Sequence, residues 1–112
     1  MFYLIIHLEN EKYEEDLLLA MASAEILDAI VLPGVSAREM MAGILPIFAG
    51  FRADLTAGGT YAKLIAAIVP DANAVDRMLG ALQASGTNFV EKKIGSIVLL
   101  PISRIVDPDY PA

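Results

Sequence analysis

The sequence predicts a single α+β domain: a four-stranded antiparallel sheet with two helices on one face. Two observations lead there. Apolar runs of strand length and strand composition open the chain at Phe2 to Leu8, recur at Tyr61 to Val69 and return at Gly95 to Ile102. Between them, apolar residues fall at helical spacing over Leu17 to Leu32 and from about Asp71 to Ser85.

Phe2 to Leu8 is almost wholly apolar, as expected of a central strand covered on at least one face. The charged segment ENEKYEED, Glu9 to Asp16, follows it. Asn10 can cap a helix there, and the acids suit a helix's positive N-terminal end. In the Leu17 to Leu32 helix, Leu17, Ala20, Met21, Ala24, Leu27 and Val31 form one face. Leu18, Ala22, Ile26 and Ala29 add a second apolar strip, so this helix asks for cover on two sides. Pro33-Gly34 is expected to stop it, with the glycine free to turn left-handed. Val35 to Ala42, which carries Arg38 and Glu39, reads as a strand with one exposed face. Tyr61 to Val69 has Lys63 as its only charge, and Pro70-Asp71 ends it. Asp71 or Asn73 caps the next helix, whose Val75, Met78, Leu79 and Leu82 face inward. Ser85-Gly86 closes that helix, Thr87 to Lys93 connects, and Gly95 to Ile102 forms the last strand before a proline-broken tail. The order is strand, helix, strand, long connection, strand, helix, strand. That is the split βαβ pattern of a ferredoxin-like sandwich, βαββαβ, and right-handed crossovers put both helices on the same face. The other face would be open and largely apolar, and self-association is the expected lid.

The connection from Ala42 to Tyr61 is too long for a hairpin. It is also apolar, with Ile44, Leu45, Ile47, Phe48, Phe51 and Leu55, and interrupted by Pro46 and several glycines. Two readings stand: side chains that meet a neighbouring subunit, ligand or partner, or a short amphipathic helix over Leu45 to Arg52. Phe48, Phe51, Arg52 and Asp54 are the candidate partner contacts.

Composition bounds the chemistry. The chain has 112 residues and is 56% hydrophobic, a surplus for so small a body that points to apolar surface buried between subunits. The net charge of −6 argues against nucleic acid as a partner. With no cysteine there are no disulfides and no thiolate chemistry. No run is long and apolar enough to span a bilayer, and MFYLIIHLENE lacks the pattern of a signal peptide. The expected compartment is therefore the cytoplasm, with a membrane reached only through a partner. His7, the only histidine, reads as a core or interface residue, and one histidine per chain does not make a transition-metal site. No nucleophile elbow, Walker loop or dinucleotide fingerprint is present, and no catalytic residue is expected.

Val69-Pro70-Asp71, then Val75, Gly86 and the strand from Gly95 to Pro101 form a sequence that resembles the second half of PII-type nitrogen-regulatory signalling proteins. The likeness extends more loosely from about Ala24 to Ile105, and the 43–60 connection stands where that family has its effector-touching loop. The resemblance implies a non-enzymatic homotrimer with small-ligand sites, commonly for adenine nucleotides, in clefts between subunits. It implies ligand contacts at Gly43, Lys63, Gly86, Thr87, Lys92, Lys93, Gly95 and Arg104, and a protein target for the long loop. Glycine-loop amides beside Lys or Arg are what phosphates need. The chain departs from the family in TNFVEKKIGS: Ser96 stands where a lysine is expected, and Glu91 adds a negative charge. The family's C-terminal Arg-Thr-Gly stretch and its modified loop tyrosine are missing. The alternatives are a CutA-like structural or metal-tolerance trimer without a nucleotide site, and a dimeric-barrel enzyme with chemistry on the open sheet face.

Overall fold

The structure, a computed structural model, describes residues 1–44 and 61–109. It is an α+β fold with a four-stranded antiparallel sheet and three helices, compatible with a ferredoxin-like arrangement. The strands are β1 (Phe2–Leu8), β2 (Ile30–Val35), β3 (Tyr61–Val69) and β4 (Gly95–Pro101). The helices are α1 (Glu14–Ser23), which a 3-10 turn at Glu11–Tyr13 precedes, α2 (Ala37–Ile44) and α3 (Asn73–Ala84). The strand order is β2-β3-β1-β4. Across the sheet the register sets Pro33 opposite Lys63, Lys63 opposite Leu8, and Leu8 opposite Gly95.

Alternation along the strands divides the side chains. Leu4, Ile6 and Leu8 of β1 and Ile65, Ala67 and Val69 of β3 are buried. They join one core cluster with Leu17, Ala20 and Met21 of α1 and Ala74, Val75, Met78 and Leu82 of α3. Residues of the opposite parity remain accessible although most are apolar: Ile30 is 63% exposed, Leu32 51%, Leu100 46% and Val98 41%. Tyr3, Ile5 and His7 carry this surface across β1, and Leu64, Ala66 and Ile68 across β3.

The first, third and last expected strands form where the sequence places them, with β4 one residue shorter than expected. The first helix does not. It starts at Glu14 and ends at Ser23, and residues 24–32 leave it. Ile26 N–H donates to the Met21 carbonyl at 2.9 Å, and Glu25 N–H to that of Ala22 at 3.0 Å. Glu25 sits in the left-handed region, φ 63°. This is a Schellman closure with glutamate where glycine is usual, so its usual sequence signal is missing. The freed residues supply β2, and Leu27, expected inside, is 72% exposed. Pro33 and Gly34 lie within β2 rather than stopping a helix, and Gly34 does not adopt positive φ. The expected strand over Val35 to Ala42 is also corrected. Val35 ends β2 and Ala37 starts α2, with Met40 N–H donating to the Ser36 carbonyl at 3.2 Å. Arg38 and Glu39 are adjacent, which breaks strand alternation, and Ala-Arg-Glu-Met-Met is a run of strong helix formers.

The end of α3 repeats the closure with the expected residue. Gly86, at φ 91°, donates to the Gln83 carbonyl at 2.9 Å, and Thr87 donates to that of Leu82 at 3.0 Å. Asp71 Oδ1 accepts from Ala74 N–H at 3.1 Å, so the expected cap at the start of this helix is present.

Replacing Glu25 with glycine should raise stability by about 1 kcal/mol, because a left-handed residue with a Cβ carries a penalty of that order. Urea unfolding of the variant against the parent chain measures it. Gly95→Ala should go the other way. A Cβ on Gly95 would lie 1.8 Å from the His7 carbonyl oxygen, so β4 must move away from β1. The expected loss is at least roughly 1–3 kcal/mol in the same assay.

Candidate functional site

One end of the sheet collects the polar groups that could act. β1 and β2 finish there, and β3 and β4 begin there. Glu14, in the first turn of α1, reaches the start of β3. Its Oε2 accepts from the Tyr61 hydroxyl at 2.7 Å, and its Oε1 accepts from the Lys63 ammonium at 2.5 Å. The ammonium also stands 5.8 Å from the centre of the Tyr61 ring. The pairing holds the Glu14 carboxyl below its ordinary range, through the Lys63 hydrogen bond first and the Tyr61 bond second. It pushes Lys63 up through the Glu14 bond. Tyr61 is raised by desolvation first and by donation to Glu14 second. All three shifts favour a carboxylate, an ammonium and a protonated phenol. The pair is roughly three-quarters shielded, with 27% and 24% of the two side chains exposed.

Beside this cluster lies a cleft of about 620 Å³. His7, Leu8 and Glu9 line it from β1, Gly34 to Arg38 from the end of β2 into α2, and Tyr61 to Leu64 from β3. It therefore holds two cations, a histidine, the Ser36 hydroxyl and one carboxylate. Such a set can bind an anionic group with Arg38 and Ser36. Lys63 must divide itself between a ligand and Glu14. Among the described residues no group of three or more histidine or acidic side chains could hold a metal ion. No helix among them is long and apolar enough to cross a membrane.

The candidate ligand residues divide by position. Lys63 and Gly95 flank Leu8 across the sheet, so they share this end. Glu9 N–H donates to the Ile94 carbonyl at 2.9 Å, which ties the turns carrying Lys92 and Lys93 to the end of β1. Both lysines are exposed, and Lys93 has φ 52°. Gly86 and Thr87 have the structural task of closing α3, and Thr87 is buried. Gly95 is set by its close approach to the His7 carbonyl. Gly43 stands exposed in the last turn of α2. Arg104 follows β4 away to the opposite end, where Ile102 N–H donates to the Met1 carbonyl at 3.1 Å. Within one chain it does not join the others. Phe48, Phe51, Arg52 and Asp54, and the alternative helix over Leu45 to Arg52, lie outside the described residues.

His7 is not a core residue: it stands exposed on the uncovered surface of β1. The sequence reading also missed Glu14 as the partner of Tyr61 and Lys63. Those residues are 47 and 49 positions away, so no local spacing could have signalled the contact. Arg38 lines the cleft from the first turn of α2, and Ser36 from the residue just before that helix.

No protein-family model matches the sequence, and no curated protein matches it.

The Glu14 cluster predicts a pH dependence. A carboxyl whose pKa is lower in the folded chain stabilises the fold above its unfolded value, near 4.5 here, and loses that contribution as pH falls through the folded value. Stability should therefore drop below about pH 4.5, and Glu14→Gln should flatten that part of the profile. Chemical unfolding midpoints taken from pH 7 to pH 3 on both chains measure the difference. An identical acid limb in the variant would remove Glu14 from the account.

Proposed function

We propose that this chain is a non-enzymatic, PII-like regulatory protein. In this reading it is a ferredoxin-like βαββαβ sandwich with α1 and α3 on one face of the sheet. It assembles as a homotrimer through the opposite face and works in the cytoplasm. A small ligand, an adenine nucleotide, occupies the cleft at the strand ends, and the 43–60 connection engages a protein target. The observation that supports it best is the convergence of two connections on one end of the sheet. The residues between β2 and β3 leave from that end and return to it. So do the turns between α3 and β4, with Lys92 and Lys93. A ligand held between Arg38, Lys63 and the glycine-flanked turn would bias the base of the long connection, which coupling requires.

Ser96 favours the second reading, a CutA-like structural or metal-tolerance trimer without a nucleotide site. It stands exposed at the start of β4, opposite His7, where the family resemblance leads one to expect a lysine. Light scattering on a sizing column, followed by calorimetric titration with ATP, ADP, AMP and cyclic nucleotides with and without magnesium, separates the two. A trimer taking up about one nucleotide per chain supports the regulatory reading. A folded trimer silent to the whole panel supports the second, and a monomer defeats both. A side chain at Gly43 meets no atom within 4 Å. Gly43→Val should therefore weaken nucleotide uptake more than it lowers the unfolding midpoint. Equal loss of both would remove the base of the long connection from the account of ligand binding.

A further inference from the structure

The face of the sheet turned away from the core carries the chain's one histidine. Its side chains are apolar on all four strands except Tyr3, Ser96 and His7. His7 lies with Leu64 opposite it on β3 and Ser96 opposite it on β4. The occupant that suits this face is a second copy of the same chain. The chain bears a net charge of −6, yet among the described residues the strand positions on this face carry no carboxylate, lysine or arginine. A charged partner would gain no complementary contact, whereas the same face on another copy is matched to it. From this, and resting on the assembly proposed above, we infer that His7 makes the association of copies sensitive to pH, with the neutral imidazole accepted between them and the imidazolium excluded.

The physical argument is desolvation. Two such faces brought together remove water from His7 and leave it against leucine and isoleucine side chains, where the charged form is disfavoured. The associated state therefore binds fewer protons than the separated chains, and acid drives dissociation. The charged groups nearest to His7 bear on this in both directions. Glu9 lies two residues on along β1 and favours the imidazolium. Arg38 from α2 and Lys63 from β3, which line the same cleft, oppose it. Lys63 is already committed to Glu14, and Ser96 on β4 is uncharged. Lys63 has the opposite parity to this face, whereas Glu9, just past the end of β1, has the parity of His7 and lines the same cleft. Tyr3 is the other ionisable group on the face.

Association should therefore weaken progressively as the pH is lowered from 8 to 5.5. Sedimentation velocity of the full chain between pH 8 and pH 5.5 tests this, with circular dichroism at each pH to follow the fold. Three chains are compared: the parent, His7→Gln and His7→Lys. The expected result is a parent chain that associates at pH 8 and separates toward pH 5.5 while folded. His7→Gln should stay associated throughout, and His7→Lys should separate already at pH 8. An associated parent with no response to pH would overturn the role of His7 and leave the covered face standing. So would a His7→Gln chain that titrates like the parent. A parent that is monomeric at every pH would overturn the covered face and this inference together.

Discussion

Leu4, Ile6 and Leu8 point into a core; Tyr3, Ile5 and His7, one step out of phase on the same strand, do not. Both sets are dominated by apolar side chains, and among the described residues the buried cluster with α1 and α3 forms on the first set alone. Every other element answers to that asymmetry. α1 and α3 supply Leu17, Met21, Met78 and Leu82 to the covered side, and Ile65, Ala67 and Val69 meet them from β3. Fully burying each large side chain of this kind contributes about 1.5–3 kcal/mol. The strands are thus well fixed from one side. What remains on the other is a surface whose free energy is lowered only by contact with something equally uncharged.

The same alternation brings the polar groups together at the end of the sheet. Tyr61 and Lys63 share the parity of Ile65, so they emerge on the side of α1, where Glu14 waits in its first turn. Ala62 and Leu64 have the other parity and lie beside His7. The beginning of β3 is in this way tied on one side to a helix and open on the other to a cleft. Any force that reaches the chain just before Tyr61 acts first on the bonds to Glu14.

Strands were the most legible part of the sequence. Phe2 to Leu8 and Tyr61 to Val69 are apolar runs with β-branched or aromatic residues and clear ends, and both appear with those bounds. The helix at α3 was legible through Asp71, Gly86 and its spaced apolar face. Failure came where a structural signal had no usual residue behind it. Glu25 in the left-handed conformation ends α1 without a glycine, so the apolar spacing through Leu27 and Val31 invited the helix to continue. β2 then falls on residues assigned to that helix, and α2 on residues assigned to a strand. Of the candidate site, Lys63 and the Gly86–Gly95 turns were named through the likeness to PII-type proteins. Their separation from Arg104, and the contact with Glu14, depend on the register of the sheet and could not be named in that way.

Both outer strands of this sheet contain a proline, Pro33 in β2 and Pro101 in β4. A proline lacks an amide hydrogen, and its ring makes a strand a poor template for another strand. Growth of the sheet sideways, copy after copy, is the route by which apolar β proteins become fibres, and it is obstructed here at each border. In the assembly proposed above, copies meet through the face of the sheet and not through its edges. Where the rotation between copies closes such contacts into a ring, the particle has a fixed size.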